Sequence, residues 1–562
     1  MTQPPVAETL IQRHERIKRE QNPWEELPRL FTAFRSGIGA IGRADIGTRL
    51  RWWGLYTQGD GEGAFGGAAP YFMMRVRIPN GLLTAAQLST VAGISRRWGR
   101  GLADVTVRQN IQLHWIDSEN IPDIFHTLWE AGLTTQSACG DDPRNLTGCP
   151  LAGFDPTEYV DASPLTTATN KMLLAGSDFY NLPRKYKVCI VGCRQWCPNP
   201  EINDVAFTAF PRAAGDEGPV WFGLRIGGGL SNTPFLAVPM PVKVAWDEVV
   251  PVTRAITELF RDSQELRQNR GHARLKFLFI RHKWTAEKFL AETERRLGYE
   301  LHRSEPDPPP PPVFRDHLGV HQQKQPGLYY VGLSVLRGRV NADQLDAVAE
   351  AAARWGGGEV RTTAQQGIVI PHVPEANVEA LVAHLGRHEL PVDASTFRRG
   401  VMSCTGREFC KLAVVETKAF ASTLVNELER RMPDFPLPLS INLNGCPNSC
   451  GQHWTADVGL QGSRVKTPEG TADGFDVYLG GGLGAGARLS KKTLGRVLAT
   501  ELPDRLESLF RHFQAQRLEG EIFRDFVERQ GTAELEKVLG TLPAAEMPVR
   551  GHDDFVPIGE IV

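Results

Sequence analysis

The chain has 562 residues, enough for about four domains at roughly 150 residues each. Hydrophobic residues make up 41% and charged residues 23%, which excludes a disordered or fibrous chain. With 63 Lys+Arg against 65 Asp+Glu the formal net charge is -2, so the basic excess of a general nucleic-acid binder is missing, though a local basic pocket is not excluded. No apolar run approaches the roughly 18 residues needed to cross a membrane. The opening MTQPPVAETLIQRHERIKRE has no apolar signal core, so a cytoplasmic protein is expected.

In chain order, the first feature is an internal repeat. Arg75–Trp115 lies on Gly332–His372 without a gap, at an offset of 257, with 13 identities in 41 positions. Gln87, Trp98, Gln109 and Ile111 meet Gln344, Trp355, Gln366 and Ile368. Each copy reads as strand, polar turn, amphipathic helix and strand. The helix is expected from about Thr84–Gln87 to the Trp-Gly pair, and TVRQNIQLHWI is expected as an alternating strand. A second repeat sets Leu182–Leu230 on Phe435–Leu483 at an offset of 253, with Cys193 on Cys446 and Cys197 on Cys450. Between the halves, SEPDPPPPPVF reads as a stiff, extended connection outside any core. The expected division is an N-terminal arm (1–64), a half-repeat (65–131), a larger domain (132–305), a Pro-rich linker (306–317), a second half-repeat (318–390) and a final domain (391–562).

Nine cysteines are an odd number, which makes a poor disulfide framework. The second half carries CTGREFC (Cys404, Cys410) and GCPNSC (Cys446, Cys450). Four thiolates at this spacing suit a cubane iron–sulfur cluster. Zinc is the weaker reading, because structural zinc sites favour two-residue spacers. The first half matches only the last pair, through Cys193 and Cys197. CIVGCRQWC reads as a vestige of that pair rather than as a second metal site. The glycine runs Gly227–Gly229 and Gly480–Gly482 lack the dinucleotide-binding spacing, and no flavin or nicotinamide domain is recognisable.

Divergence between the copies is informative. Arg75, Arg77 and Arg108 are replaced by Gly332, Ser334 and Gln365, and Lys185 and Lys187 by Pro438 and Ser440. One half reads as specialised for anions and the other for a metal centre. Arg75 and Arg77 alternate with apolar residues and so share one strand face, as do Lys185 and Lys187 in PRKYK. Arg144 follows a proline in a turn.

These segments, with PYFMMRVRIPNG, DDPRN, NLPRKYK and EINDVAF, resemble the siroheme nitrite and sulfite reductases from about residue 50 to 530. The resemblance implies an α+β, internally duplicated fold. It has two ferredoxin-like half-repeats and two mixed α/β domains that hold siroheme and a [4Fe-4S] cluster. It implies Cys404, Cys410, Cys446 and Cys450 as cluster ligands, with the Cys450 sulfur also bridging to the siroheme iron. It places Arg75, Arg144, Lys185 and Lys187 around the substrate. It matches Arg108, Gln112, His114, Arg184, Lys276 and Asn448 to positions at or near the siroheme, although a lone His114 more often satisfies itself within a strand. The implied activity is assimilatory six-electron reduction of nitrite to ammonium, with ferredoxin as donor, protons relayed by the lysines, and a monomeric enzyme that binds neither nucleic acid nor membrane. Sulfite reduction to sulfide is the alternative: Lys187 looks like the sulfite enzymes, and the two cysteine segments look like the nitrite enzymes. A non-catalytic iron–sulfur protein is the remaining reading.

Overall fold

The structure is a computed structural model that describes residues 8–59, 71–212, 215–312, 314 and 316–540. The expected boundary at 64/65 and the end of the last domain lie outside the described residues. Among the described residues helix and strand are mixed throughout, and the strands form four five-stranded sheets. No helix among the described residues is long and apolar enough to cross a membrane.

Two of the sheets are built by the first repeat. Helices Ala85–Trp98 and Ala342–Trp355 occupy the expected positions and stop at the Trp-Gly pairs. Each opens on a capping box, Thr84 with Gln87 in one and Asn341 with Gln344 in the other, which satisfies orphan amides at the first turn. The strand expected over TVRQNIQLHWI begins later, at Ile111. Thr106–Asn110 is instead a turn, because Gln109 takes the left-handed conformation at φ 57.

The halves exchange strands. Arg339–Asn341 of the second half pairs antiparallel with Leu102–Val105 of the first. In return Leu82–Thr84 pairs with Glu359–Thr362. The side-chain bonds are equally reciprocal. Gln109 Nε2 donates to the Thr362 carbonyl at 3.0 Å and Gln366 Nε2 to the Val105 carbonyl at 3.1 Å. Gln109 Oε1 accepts from the Gly148 amide at 3.1 Å, and Gln366 Oε1 from the Ser403 amide at 3.0 Å. Gly81 and Gly338, both at φ 70, make the close approach possible. A Cβ on them would lie 2.2 Å from the Thr362 carbonyl and 2.5 Å from the Val105 carbonyl. One apolar core runs under both of these sheets, from Phe72 and Leu113 to Val360 and Ile370.

The other two sheets follow the second repeat and have their own cores. In each, the repeated cysteine pair lies in the connection between two parallel strands: Val188–Val191 beside Val205–Ala209, and Ile441–Asn444 beside Val458–Thr467. Asp204 and Asp457 play the same part in both copies. Asp204 Oδ2 accepts the Lys187 amide and Asp457 Oδ2 the Ser440 amide, each at 2.9 Å. Even the left-handed residues recur: Trp196 and Ser449, Asn199 and Gln452. Asn199 Nδ2 donates to Gln452 Oε1 at 3.0 Å, so two repeat-equivalent residues bond to each other across the halves.

The proline run lacks secondary structure, as expected, but it is fastened at its start and in its middle. Asp307 is buried against Arg225 at 2.5 Å, and the Pro310 carbonyl accepts from the Ala485 amide at 2.7 Å.

Gln366→Leu strands the Val105 and Ser403 backbone groups in the core, at about 1–3 kcal/mol for each buried unpaired group. The expected loss of stability in denaturant unfolding is at least about 3 kcal/mol. Iron content should fall as well, because Ser403 leads directly into Cys404. Gln109→Leu should cost similar stability while retaining the iron.

Candidate functional site

The site lies where the first half's basic loops face the second half's cysteine loops. Cys404 follows the strand Val401–Ser403, and Cys446 follows the parallel strand Ile441–Asn444, so both thiols leave neighbouring strand ends. The Cys404–Cys410 loop is closed by Thr417 Oγ1, which donates to the Cys404 carbonyl at 2.8 Å. Glu416 adds bonds from the Glu408 and Lys418 amides, each at 2.9 Å. The Cys446–Cys450 loop turns through Ser449 at φ 54 and is tied by the Gly451 amide to Asn444 Oδ1 at 2.6 Å.

Burial pushes the Cys404, Cys410 and Cys446 thiols up, Cys410 to about 12, and the nearby Cys450 pushes each further. Against this, the Gly445 amide donates to Cys404 Sγ at 3.2 Å. Further backbone amides aim at Cys410 and Cys446. Three thiols held neutral by burial and by the neighbouring Cys450, with amides pointed at sulfur, are together with Cys450 a donor set for a soft, cationic centre. These residues fit a [4Fe-4S] cluster.

Opposite them, the strand Tyr71–Val76 and the turns at 137–145 and 182–187 supply the cations. Arg75 reaches Gln112 Oε1 at 2.8 Å and the Ala138 carbonyl at 3.0 Å. Arg144 holds the Gly140 carbonyl at 2.8 Å, and Arg108 holds Asn203 Oδ1 at 2.8 Å and the Asn145 carbonyl at 2.6 Å. Arg77 is fully buried and bonds the Pro143 carbonyl at 2.8 Å and Asn170 Oδ1 at 2.9 Å, so it builds the Asp141–Asn145 loop. That loop is anchored again at Asp141, which gathers Lys18, Arg184 and Arg270. Asp204 is bidentate to the buried Arg274 at 2.8–3.1 Å.

Lys185 and Lys187 differ from these. Among the described residues neither ammonium has a hydrogen-bond partner. Burial, then Arg274, with Arg184 and Arg144 adding to it, holds Lys185 down to about 7, even with Cys450 nearby to favour its charge. Burial, Arg108, Arg274 and Lys185 hold Lys187 well below the usual lysine range. Half-buried cations crowded by arginines, with the nearby carboxylate of Asp204 already held by Arg274, are a preformed seat for anions. They fit the carboxylate-rich siroheme and a small oxyanion substrate.

Three sequence-derived residues have other engagements. His114 is buried, with Nε2 3.1 Å from Asp104 and Nδ1 3.3 Å from Gln58, and it stacks on Phe409 beside Cys410 at 4.0 Å. Burial opposes charge on Asp104, but Lys418, His114 and Arg339 hold its carboxyl well below the usual range. Lys276 donates to the Leu230 carbonyl at 2.7 Å and to the Gly229 and Thr233 carbonyls, clamping the glycine run. Asn448 accepts from Ser231 Oγ at 3.4 Å. Sequence reading missed Asp141, Arg51 and Arg274. Asp141 and Arg274 are joined to their partners over long sequence separations, and no local spacing marks any of the three.

The expectation that the first half matches only two of the cysteines is corrected by the strand ladder. Thr147 bridges Cys189 as Met402 pairs with Asn442, which sets Cys149 on Cys404. CPLAGFD laid on CTGREFC shows the same match, with Phe154 on Phe409 and Asp155 on Cys410.

Comparison with known proteins shows the family. The family model "Nitrite and sulphite reductase 4Fe-4S domain" matches residues 139–301 and 394–545. The model "Nitrite/Sulfite reductase ferredoxin-like half domain" matches 67–131 and 321–388. A sulfite reductase [ferredoxin] of Mycobacterium tuberculosis is 39% identical over 534 residues, 92% of this chain and 94% of the relative. A ferredoxin–nitrite reductase of Leptolyngbya laminosa is 36% identical over 524 residues, 92% of this chain and all of the relative. The solved structure of Mycobacterium tuberculosis NirA superposes with a TM-score of 0.86 at 38% identity, covering 93% of this chain and 97% of that one.

An anion seated at Lys185 restores its charge and raises its pKa, so binding takes up a proton. Nitrite affinity of the loaded protein should therefore be greatest below about pH 7 and fall as pH rises above it. Equilibrium binding between about pH 6 and pH 9 checks this, and Lys185→Met should bind more weakly with a flattened profile.

Proposed function

The chain belongs to the nitrite and sulfite reductase family, and we propose that it reduces nitrite to ammonium by six electrons, taken from a ferredoxin, as a monomer in the cytoplasm. Its cofactors are siroheme and a [4Fe-4S] cluster. The observation that carries the oxyanion reading is the pair of half-buried lysines without hydrogen-bond partners, Lys185 and Lys187, set against the loop of Cys450, while the choice of nitrite rests on the likeness of the two cysteine segments to the nitrite enzymes.

In this reading Cys404, Cys410, Cys446 and Cys450 hold the cluster, and Cys450 stands at the junction with the siroheme. Arg108, Gln112, Arg184, Lys276 and Asn448 line the siroheme's seat. His114 sets the position of Phe409 by stacking on it. When bound, the coupled pair supplies electrons to the substrate atom. The protein's own part is charge and protons. Arg75 and Arg144, fixed by the Ala138 and Gly140 carbonyls, orient the oxyanion with forked donors. Lys185 exchanges a proton near neutral pH and suits a general acid whose Nζ is reprotonated between steps. Lys187 adds a second cation that offsets the charge of the arriving anion. Partial burial of these groups limits how far water weakens their attraction.

Sulfite reduction to sulfide is a second reading, favoured by two cations where one suffices for singly charged nitrite, and by relatives named sulfite reductase at 39–40% identity. Turnover of each anion by the loaded enzyme, with one artificial donor, separates them. A higher kcat/KM for nitrite is expected, and a higher value for sulfite replaces the first reading with the second. Lys187→Asn should move the kcat/KM ratio toward nitrite by about tenfold, the equivalent of about 1.4 kcal/mol of lost attraction to the second charge. An unchanged ratio removes Lys187 as the selector.

Cys450→Ser removes one of the four sulfur donors. The expected result is loss of cluster iron and of turnover, read by iron analysis and the visible spectrum. Full activity with an unaltered spectrum would show that Cys450 does not join the two cofactors.

A further inference from the structure

The first half's counterpart of the cluster site is a second cluster of thiols. Cys149, Cys193 and Cys197 occupy the places of Cys404, Cys446 and Cys450, and their sulfurs all lie within 4.8 Å of one another. Cys193 Sγ is 3.5 Å from Cys197 Sγ, and Cys149 Sγ is 3.9 Å from it. All three are at most 4% exposed. The pocket wall is apolar, formed by Leu151, Phe154, Val191 and Trp196.

We propose that Cys149, Cys193 and Cys197 form a mononuclear site for a soft d10 metal ion, zinc(II) or copper(I), separate from the iron–sulfur cluster. Sulfurs about 2.3 Å from a tetrahedral zinc stand about 3.8 Å apart. The two closer pairs match that edge before any metal arrives. A cubane is excluded by the same distances, because each cysteine there binds a different iron and the sulfurs stand much further apart. The fourth cubane position is also lost: Asp155 replaces Cys410, and its carboxylate accepts from the Thr157 amide and hydroxyl, both at 2.8 Å. The site thus keeps three soft donors and has contracted to the span of one ion.

Binding is balanced by protons. A zinc ion replaces three thiol protons, which leave to solvent, and the product carries one net negative charge. Two buried guanidiniums border the same wall, each with a carboxylate of its own, Asp307 for Arg225 and Glu359 for Arg361. Arg225 stacks on Trp196 at 4.2 Å and Arg361 on Phe154 at 5.5 Å. Because thiolates bind the ion, occupancy should rise with pH.

Metal analysis of the full chain, purified with a complete complement of siroheme and cluster iron, tests the site. Close to one equivalent of zinc or copper per chain is expected beyond the iron, and the element found distinguishes the two ions. Cys149→Ser and Cys193→Ser should each lose that equivalent and keep the iron. Less than a tenth of an equivalent of either metal, both as purified and after dialysis against zinc under reducing conditions, overturns the proposal. So does a disulfide joining Cys193 to Cys197 in peptide mass spectra. Should the variants fail to fold, zinc-edge X-ray absorption of the unaltered protein decides: three sulfur neighbours at about 2.3 Å support the site, and a shell of oxygen and nitrogen overturns it.

Discussion

The reciprocal exchange between the halves is the constraint on which the rest depends. Each half lends one short strand to the other's sheet, and each buries one glutamine amide on the other's backbone. Neither sheet is complete alone. The same glutamines continue outward: Gln109 fixes Gly148, one residue before Cys149, and Gln366 fixes Ser403, one residue before Cys404. The core bonds that join the halves therefore also set the origin of both cysteine loops. A buried amide with every donor and acceptor used is costly to disturb, so the spacing between basic and thiol loops is fixed by the fold rather than by the loops.

On that frame the two halves contribute opposite charge. The first half's arginines mostly have backbone carbonyls or carboxylates as partners, which makes them rigid: Arg77 in the 137–144 turn, Arg274 on Asp204, Arg270 on Asp141. Rigid cations crowd two lysines that have no such partners. The destabilisation this causes in the absence of ligand is the physical source of affinity, since an arriving anion relieves it. The second half offers thiols and amides, the complement for a cationic metal centre.

Duplication left a record of which features belong to the scaffold and which to function. The left-handed residues, the capping boxes and the paired aspartates Asp204 and Asp457 recur in both copies. They serve chain geometry, which both halves need. The cations occur in one copy. The thiols occur in both, but at different spacing: three tight sulfurs in the first half and four spread ones in the second.

The doubling, the helix caps, the two cysteine pairs of the second half and the basic segment PRKYK were legible in the sequence, because each is a local pattern or a register between two segments. The turn at Thr106–Asn110 was not, since its polar-apolar alternation continues that of the strand and only the left-handed Gln109 breaks it. The Cys149 match escaped because its loop has a different offset from the segment that carries Cys193, so the two repeats do not share one register. Asp141, Arg274 and the clamp on Lys276 depend on partners 40 or more residues away. The sequence alone thus determined what chemistry each half carries, because residue identity and short-range periodicity encode it. Only the tertiary structure decided which cations are paired and which are left for a ligand, because pairing depends on burial and on contacts that long-range packing creates.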